Sequence, residues 1–140
     1  MAEQNPPFFE MQLTVSADDL DEMEHVNNVR YLQWVQDVAA AHWRKIAPAA
    51  WLDQYAWVVI NHFIEYKKPA LLGDPLKVMT HVHDNSGVKS QRLVRIIHAE
   101  TDELLAQAST WWCLLDAKTK RPKRVPQEII DVFQGTADPQ

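Results

Sequence analysis

Thirteen consecutive residues, Asp19-Leu20-Asp21-Glu22-Met23-Glu24-His25-Val26-Asn27-Asn28-Val29-Arg30-Tyr31, hold most of the chemistry this chain offers. The surrounding pattern sets them between the end of a strand and the start of a long helix. Strand side chains alternate, so Asp19 and Asp21 share a face if the strand extends that far. Close carboxylates repel, which makes at least one of them a better proton acceptor near neutrality. Just downstream, a helix N-terminus offers unpaired backbone N–H groups and the positive end of the dipole. Such donors can hold a carbonyl oxygen that gains charge during acyl transfer. A carboxylate base beside them describes water attack on an ester or thioester. Acids before helices also serve as caps, and spacing alone leaves both readings open.

The elements that must position these residues follow from periodicity. Phe8 to Ser16 alternates as a first strand, with Phe9, Met11, Leu13 and Val15 on one face. From Asn28 to Ile46 the period changes: Leu32, Val35, Ala39, Trp43 and Ile46 form one helical stripe. Asn27 or Asn28 suits the N-cap, and Pro48 bars continuation. Trp57 to Lys68 begins apolar on both faces, which predicts a strand partly central in a sheet. Leu76 to His83, Val88 to His98 and Leu104 to Leu115 read as further strands, separated by turns at Asn85-Ser86-Gly87 and Thr101-Asp102-Glu103. Val125 to Phe133 closes with a short helix. The order predicts a single α+β domain over residues 1–140, core about 8–133, with one helix packed on an antiparallel sheet of about five strands.

Composition narrows the class further. At 140 residues, 46% hydrophobic and 24% charged, the chain should bury about 68–70% of its unfolded surface as one domain. Apolar runs such as Ala56 to Ile60 fall far short of the about 20 residues a membrane span needs. The first basic residue is Arg30, whereas secretory and mitochondrial signals need early positive charge. A cytoplasmic protein without a membrane partner is the expectation. Three glycines leave no phosphate-cradling loop, and a net charge of −5 argues against nucleic acid as a partner.

Other reactive side chains read as structural. His81 and His83 could share a strand face, but no third ligand is placed by spacing, so no metal is expected. His42 and His62 read as helix and sheet residues, and Cys113, after Trp111-Trp112, as a buried inert thiol. Trp34, Trp43, Trp57, Trp111 and Trp112 read mainly as core and interface. Acids crowd Asp18 to Glu24 and bases crowd Lys118 to Arg124. Taken alone, each run is a solvated loop.

The sequence from Asp19 to Tyr31, Asp-x-Asp-x-x-x-His-Val-Asn-Asn-x-x-Tyr, resembles the hotdog-fold thioesterases that cleave acyl-CoA and acyl-carrier-protein thioesters. Leu20 and the run Asn27 to Trp34 look especially like the acyl-carrier-protein branch. Tyr66 to Val78 is similar to the strand–turn–strand that follows the helix in bacterial members. The resemblance spans about Glu10 to Val132. It implies a long helix wrapped by the sheet, a homodimer or homotetramer with sites between subunits, and no cofactor. It places the catalytic carboxylate on Asp21, as general base or nucleophile, and assigns catalytic roles to His25 and Asn28. The Asn28 N–H would polarise the thioester carbonyl, with Asn27 and Tyr31 beside the substrate. The same resemblance gives the basic run a use: Lys118 and Arg121 would capture the phosphates of CoA or an acidic carrier protein.

Two departures stand out. Many bacterial members have glycine where this chain has Glu24, and the carrier-protein branch has asparagine at Met23 and an acidic or thiol group where Pro69 and Ala70 stand. A non-catalytic acyl-CoA-binding protein and a hotdog hydratase or dehydratase are the alternatives. Neither would release free thiol.

Overall fold

The computed structural model describes residues 7–136. The chain runs through strand β1 (Phe9–Thr14), a single 3-10 turn (Ala17–Asp19), helix α1 (Asn28–Ile46), helix α2 (Ala49–Gln54), strands β2 (Tyr55–Tyr66), β3 (Pro75–Ser86), β4 (Lys89–His98) and β5 (Leu104–Asp116), and helix α3 (Gln127–Gln134). The five strands form one antiparallel sheet in the order β1-β3-β4-β5-β2. This is the α+β hotdog arrangement that the sequence predicts. No helix among the described residues is long and apolar enough to cross a membrane.

Helix α1 starts where expected. The Asn27 side chain accepts the Val29 N–H at 3.0 Å, satisfying one orphan donor of the first turn. Arg44 and Lys45 sit in its last turn, where cations suit the negative dipole end. Its buried stripe, however, is rotated from the expected one. Tyr31, Trp34, Val35, Val38, Ala39 and His42 are buried, while Leu32, Trp43 and Ile46 are only partly covered. Tyr31 and His42 turn inward because each meets a hydrogen-bond partner in the core, so their polar atoms cost little to bury.

Sheet alternation is legible in β3, where Leu76, Val78, Thr80 and Val82 are all at most 1% exposed. One cluster packs α1 (Val35, Val38) on β3 and β4 (Leu76, Val78, Val94, Ile96). A second gathers Val82, Leu114, Ile129 and Phe133, with Trp43 and Trp57 against it. The β3–β4 hairpin turns on two residues, Gly87 and Val88, so of the expected Asn85-Ser86-Gly87 turn only Gly87 takes part. Gly87 has φ +62°, the conformation that the first central position of a tight hairpin demands.

One expectation fails, and helix α2 adds an element before β2. Strand β2 is not central but an edge, with Val58 43% and Ile60 46% exposed. Its two-faced apolar pattern is therefore not satisfied within one chain.

Candidate active site

The first strand stops at Thr14 and never reaches the acidic pair, so Asp19 and Asp21 do not share a strand face. They have separate tasks. Asp19 Oδ2 accepts the Ser16 N–H at 2.8 Å and the Ser16 hydroxyl at 3.2 Å, a capping box closing the 3-10 turn. Its Oδ1 lies 2.9 Å from Arg30 Nε in the first turn of α1. The Asp19 carbonyl also accepts the Asn27 N–H at 2.9 Å. Asp19 thus ties the loop to the helix and is a structural residue.

Asp21 anchors the turn that follows. Its Oδ1 accepts the backbone N–H groups of Met23 (2.8 Å) and His25 (3.2 Å), and its own N–H donates to the His25 carbonyl at 2.7 Å. Among the described residues no donor holds Oδ2, and the side chain is exposed. Glu24 sits at the bend with φ +62°, a left-handed conformation that glycine adopts without strain. Glu24 carries at this bend the strain that a glycine would avoid.

The bridge Leu20↔Val26 and the Val26 N–H to Ala70 O bond (3.1 Å) fold this loop back over the start of α1. Asp21, His25, Asn27 and Asn28 are all exposed on the ledge formed by this loop and the start of α1. The Asn27 N–H is occupied by Asp19 O and the Val29 N–H by the Asn27 side chain. Among the described residues, the Asn28 N–H meets no acceptor. The loop thus carries a fixed carboxylate seven residues before a free helix-end donor, the two kinds of group that acyl transfer uses.

Tyr31 stands apart from the expectation of a substrate contact. Its ring is 2% exposed, and its hydroxyl accepts the Ala70 N–H at 2.9 Å. Burial raises its pKa above the ordinary phenol value. It braces the loop from beneath. Tyr66, edge-on to Tyr31 at 5.4 Å, reaches the Asn28 carbonyl with its hydroxyl at 3.5 Å.

Lys118 and Arg121 lie elsewhere. Tyr66 pairs with Ala106, whereas Asp116 pairs with Tyr55 at the other end of the same ladder. Ten residues of β5 separate the two ends, roughly 30 Å at a strand's usual rise. Within one chain the basic loop is thus far from Asp21. The remaining candidates are structural in place: Cys113 is buried, and His62 bridges Gln36 (3.3 Å) and Thr110 (2.8 Å) between α1 and the sheet. His81 and His83 are 6.3 Å apart, and no metal-like cluster of three ligands forms among the described residues.

Arg92 is the residue that sequence reasoning passes over. It is 5% exposed and lines a cavity of about 280 Å³ under α1. The signal was available: Ser90, Arg92, Val94 and Ile96 alternate onto the core face.

A long helix packed on a five-stranded antiparallel sheet defines a hotdog domain. Residues 6–133 match the acyl-ACP thioesterase family, N-terminal domain, and the chain belongs to this family of thioesterases. It is 29% identical over 129 residues to the long-chain acyl-CoA thioesterase FadM of Escherichia coli K12, covering 88% of this chain and 95% of the relative. The crystal structure of YbaW, a probable thioesterase from Escherichia coli, superposes with a TM-score of 0.77 at 25% identity, covering 92% of this chain and 98% of that one. SAV2348 from Staphylococcus aureus, solved in complex with CoA, shares the fold at TM-score 0.81 and 14% identity, covering 100% and 92% of the two chains.

Proposed function

We propose that this thioesterase hydrolyses acyl-CoA, with Asp21 as the catalytic carboxylate and the Asn28 N–H as the donor to the thioester oxygen. The observation that carries the reading is the anchoring of Asp21. Two backbone N–H groups fix one oxygen, and among the described residues no donor holds the other. Asp21 either draws a proton from the attacking water or attacks the carbonyl itself to give a mixed anhydride, which water then opens. In both routes thiolate leaves, and charge collects on the carbonyl oxygen next to the helix end. His25 flanks the same ledge and would protonate the departing sulfur. FadM is named for CoA esters, and likeness over most of both chains supports CoA rather than a carrier protein here.

We also propose a homodimer joined through β2. An exposed edge strand carrying Val58, Ile60 and Phe63 (65% exposed) is an unfinished surface. A two-fold pairing of β2 with itself, centred near Ile60, lays the Tyr55 end of one copy opposite the Tyr66 end of the other. The basic loop of one subunit then flanks Asp21 of its partner, which returns Lys118 and Arg121 to the substrate as phosphate contacts.

The test is thiol release from short, medium, long and aromatic acyl-CoAs by wild type, Asp21→Asn and Asp21→Ala. Release that falls at least about a hundredfold in both variants supports the assignment. Release that survives in both removes Asp21 from the chemistry. No release from CoA esters, followed by release from acyl-carrier-protein thioesters, reassigns the substrate. After a single turnover in oxygen-18 water, label in the Asp21 carboxylate identifies the nucleophile route, with water opening the mixed anhydride at the Asp21 carbon.

A further inference from the structure

The cavity under the C-terminal half of α1 holds a cation with no anion. Arg92 Nη1 spends its hydrogens on His42 Nδ1 (2.8 Å) and Thr80 Oγ1 (3.2 Å). Among the described residues no carboxylate pairs with the guanidinium, and Nη2 and Nε have no protein acceptor. His42 does not balance the charge. Burial and the neighbouring Arg92 hold its pKa down to about 4, so it accepts as the neutral ring. Ser90 also lines the cavity, and most of the remaining wall is apolar, including Ala39, Trp43, Trp57 and Phe133, with the Arg92 Cζ 5.8 Å from the Phe133 ring. Trp112, in the same wall, has a buried indole N–H without a partner.

Burying an unpaired charge is costly, and a protein keeps one where something else supplies the opposite charge. The approach suits an anion as well. Tyr55 lines the cavity, and Lys123 of the basic loop sits 5.9 Å from its ring. The cavity lies eleven to fifteen residues up α1 from Asn28, roughly 17–22 Å at the helical rise. It is distinct from the ledge on its own chain.

We propose that this cavity binds a carboxylate on an otherwise apolar molecule of medium length, with the Arg92 guanidinium as its counter-charge. Two sources share that chemistry: a free fatty acid, and the far carboxylate of a dicarboxylic acyl thioester. The second rests on the thioesterase reading above; the first does not.

Trp43, Trp57 and Trp112 make intrinsic fluorescence a direct readout. Titration of wild type with octanoate and with octanamide compares charge at constant length and needs no variant. Octanoate should bind at least about tenfold tighter, as expected of a charged hydrogen bond in an apolar site. Arg92→Met should erase that preference, and Arg92→Lys should retain part of it. Turnover of suberoyl-CoA against octanoyl-CoA identifies the source. A suberoyl preference lost in Arg92→Met places the carboxylate on the acyl tail, and octanoate selectivity without it means a free acid. The proposal is overturned if neither assay favours a carboxylate, or if the preference survives in Arg92→Met. Binding is read without turnover, so failure of hydrolysis leaves this result standing.

Discussion

The hydroxyl of Tyr31 accepts the N–H of Ala70 at 2.9 Å, in a place where Tyr31 is 2% and Ala70 0% exposed. One bond thereby couples the first turn of α1 to the segment after β2. Ala70 in turn receives the Val26 N–H on its carbonyl, so the loop that carries Asp21 hangs from the same residue.

Tyr31→Phe leaves that buried N–H without an acceptor, and water cannot replace the lost oxygen. The expected cost is about 1–3 kcal/mol, read as a lower urea midpoint with an unchanged slope. Thioester hydrolysis should fall far less than in Asp21→Asn. An equal fall would make Tyr31 a substrate contact after all.

Glu24 is held at φ +62° with its side chain exposed, at the bend that Asp21 closes. Glycine adopts this conformation freely, so Glu24→Gly should stabilise the fold by about 1 kcal/mol. The gain appears as a higher thermal midpoint, with kcat within about twofold of wild type, because the turn geometry is already the one glycine would take. A loss of stability would show that the Glu24 side chain contributes something beyond the backbone.

His42 sets a pH limit. Its folded pKa of about 4 lies below the ordinary 6.5, mainly through burial and then through Arg92. The unfolded chain therefore binds the proton more readily, and stability falls as pH drops from about 6.5 towards 4. The loss is on the order of 2 kcal/mol once solvent screening is allowed for. His42→Asn keeps an acceptor for Arg92 and has nothing to titrate. Its unfolding free energy should decline less over this window. The slope persists in part, because burial also lowers His62 and His81.

Local order was legible where one force decided it. The Asn27 cap, the β3 alternation and the chain order of strand, helix and meander follow from nearby residues alone. The acidic pair was misplaced because its expected position depends on where β1 stops. That is set by the Ser16–Asp19 capping box, a competing local bond. The stripe on α1 was rotated because Tyr31 and His42 find partners 39 and 50 residues away, Ala70 and Arg92, which periodicity does not see. Strand β2 read as central because its apolar pattern anticipates neighbours that one chain does not provide.

That mismatch yields the sharpest test of the dimer. Asp21 and the Lys118–Arg121 loop sit at opposite ends of one chain's sheet, roughly 30 Å apart along β5. If both serve one reaction, they must come from different subunits. The double variant Lys118→Glu/Arg121→Glu should raise KM for acyl-CoA about tenfold or more at low salt, with kcat less affected. Asp21→Asn should instead lower kcat. Co-expressed in equal amounts with separate tags, the two weak enzymes form mixed dimers in which one site carries both defects and the other carries neither. Half of the sites in purified mixed dimers are intact, so their activity at low substrate should recover to about half of wild type. Were the basic loop to act within its own chain, every site would carry one defect and mixing would restore nothing. Steady-state rates of the purified mixed dimers, measured beside both parents, distinguish the two arrangements.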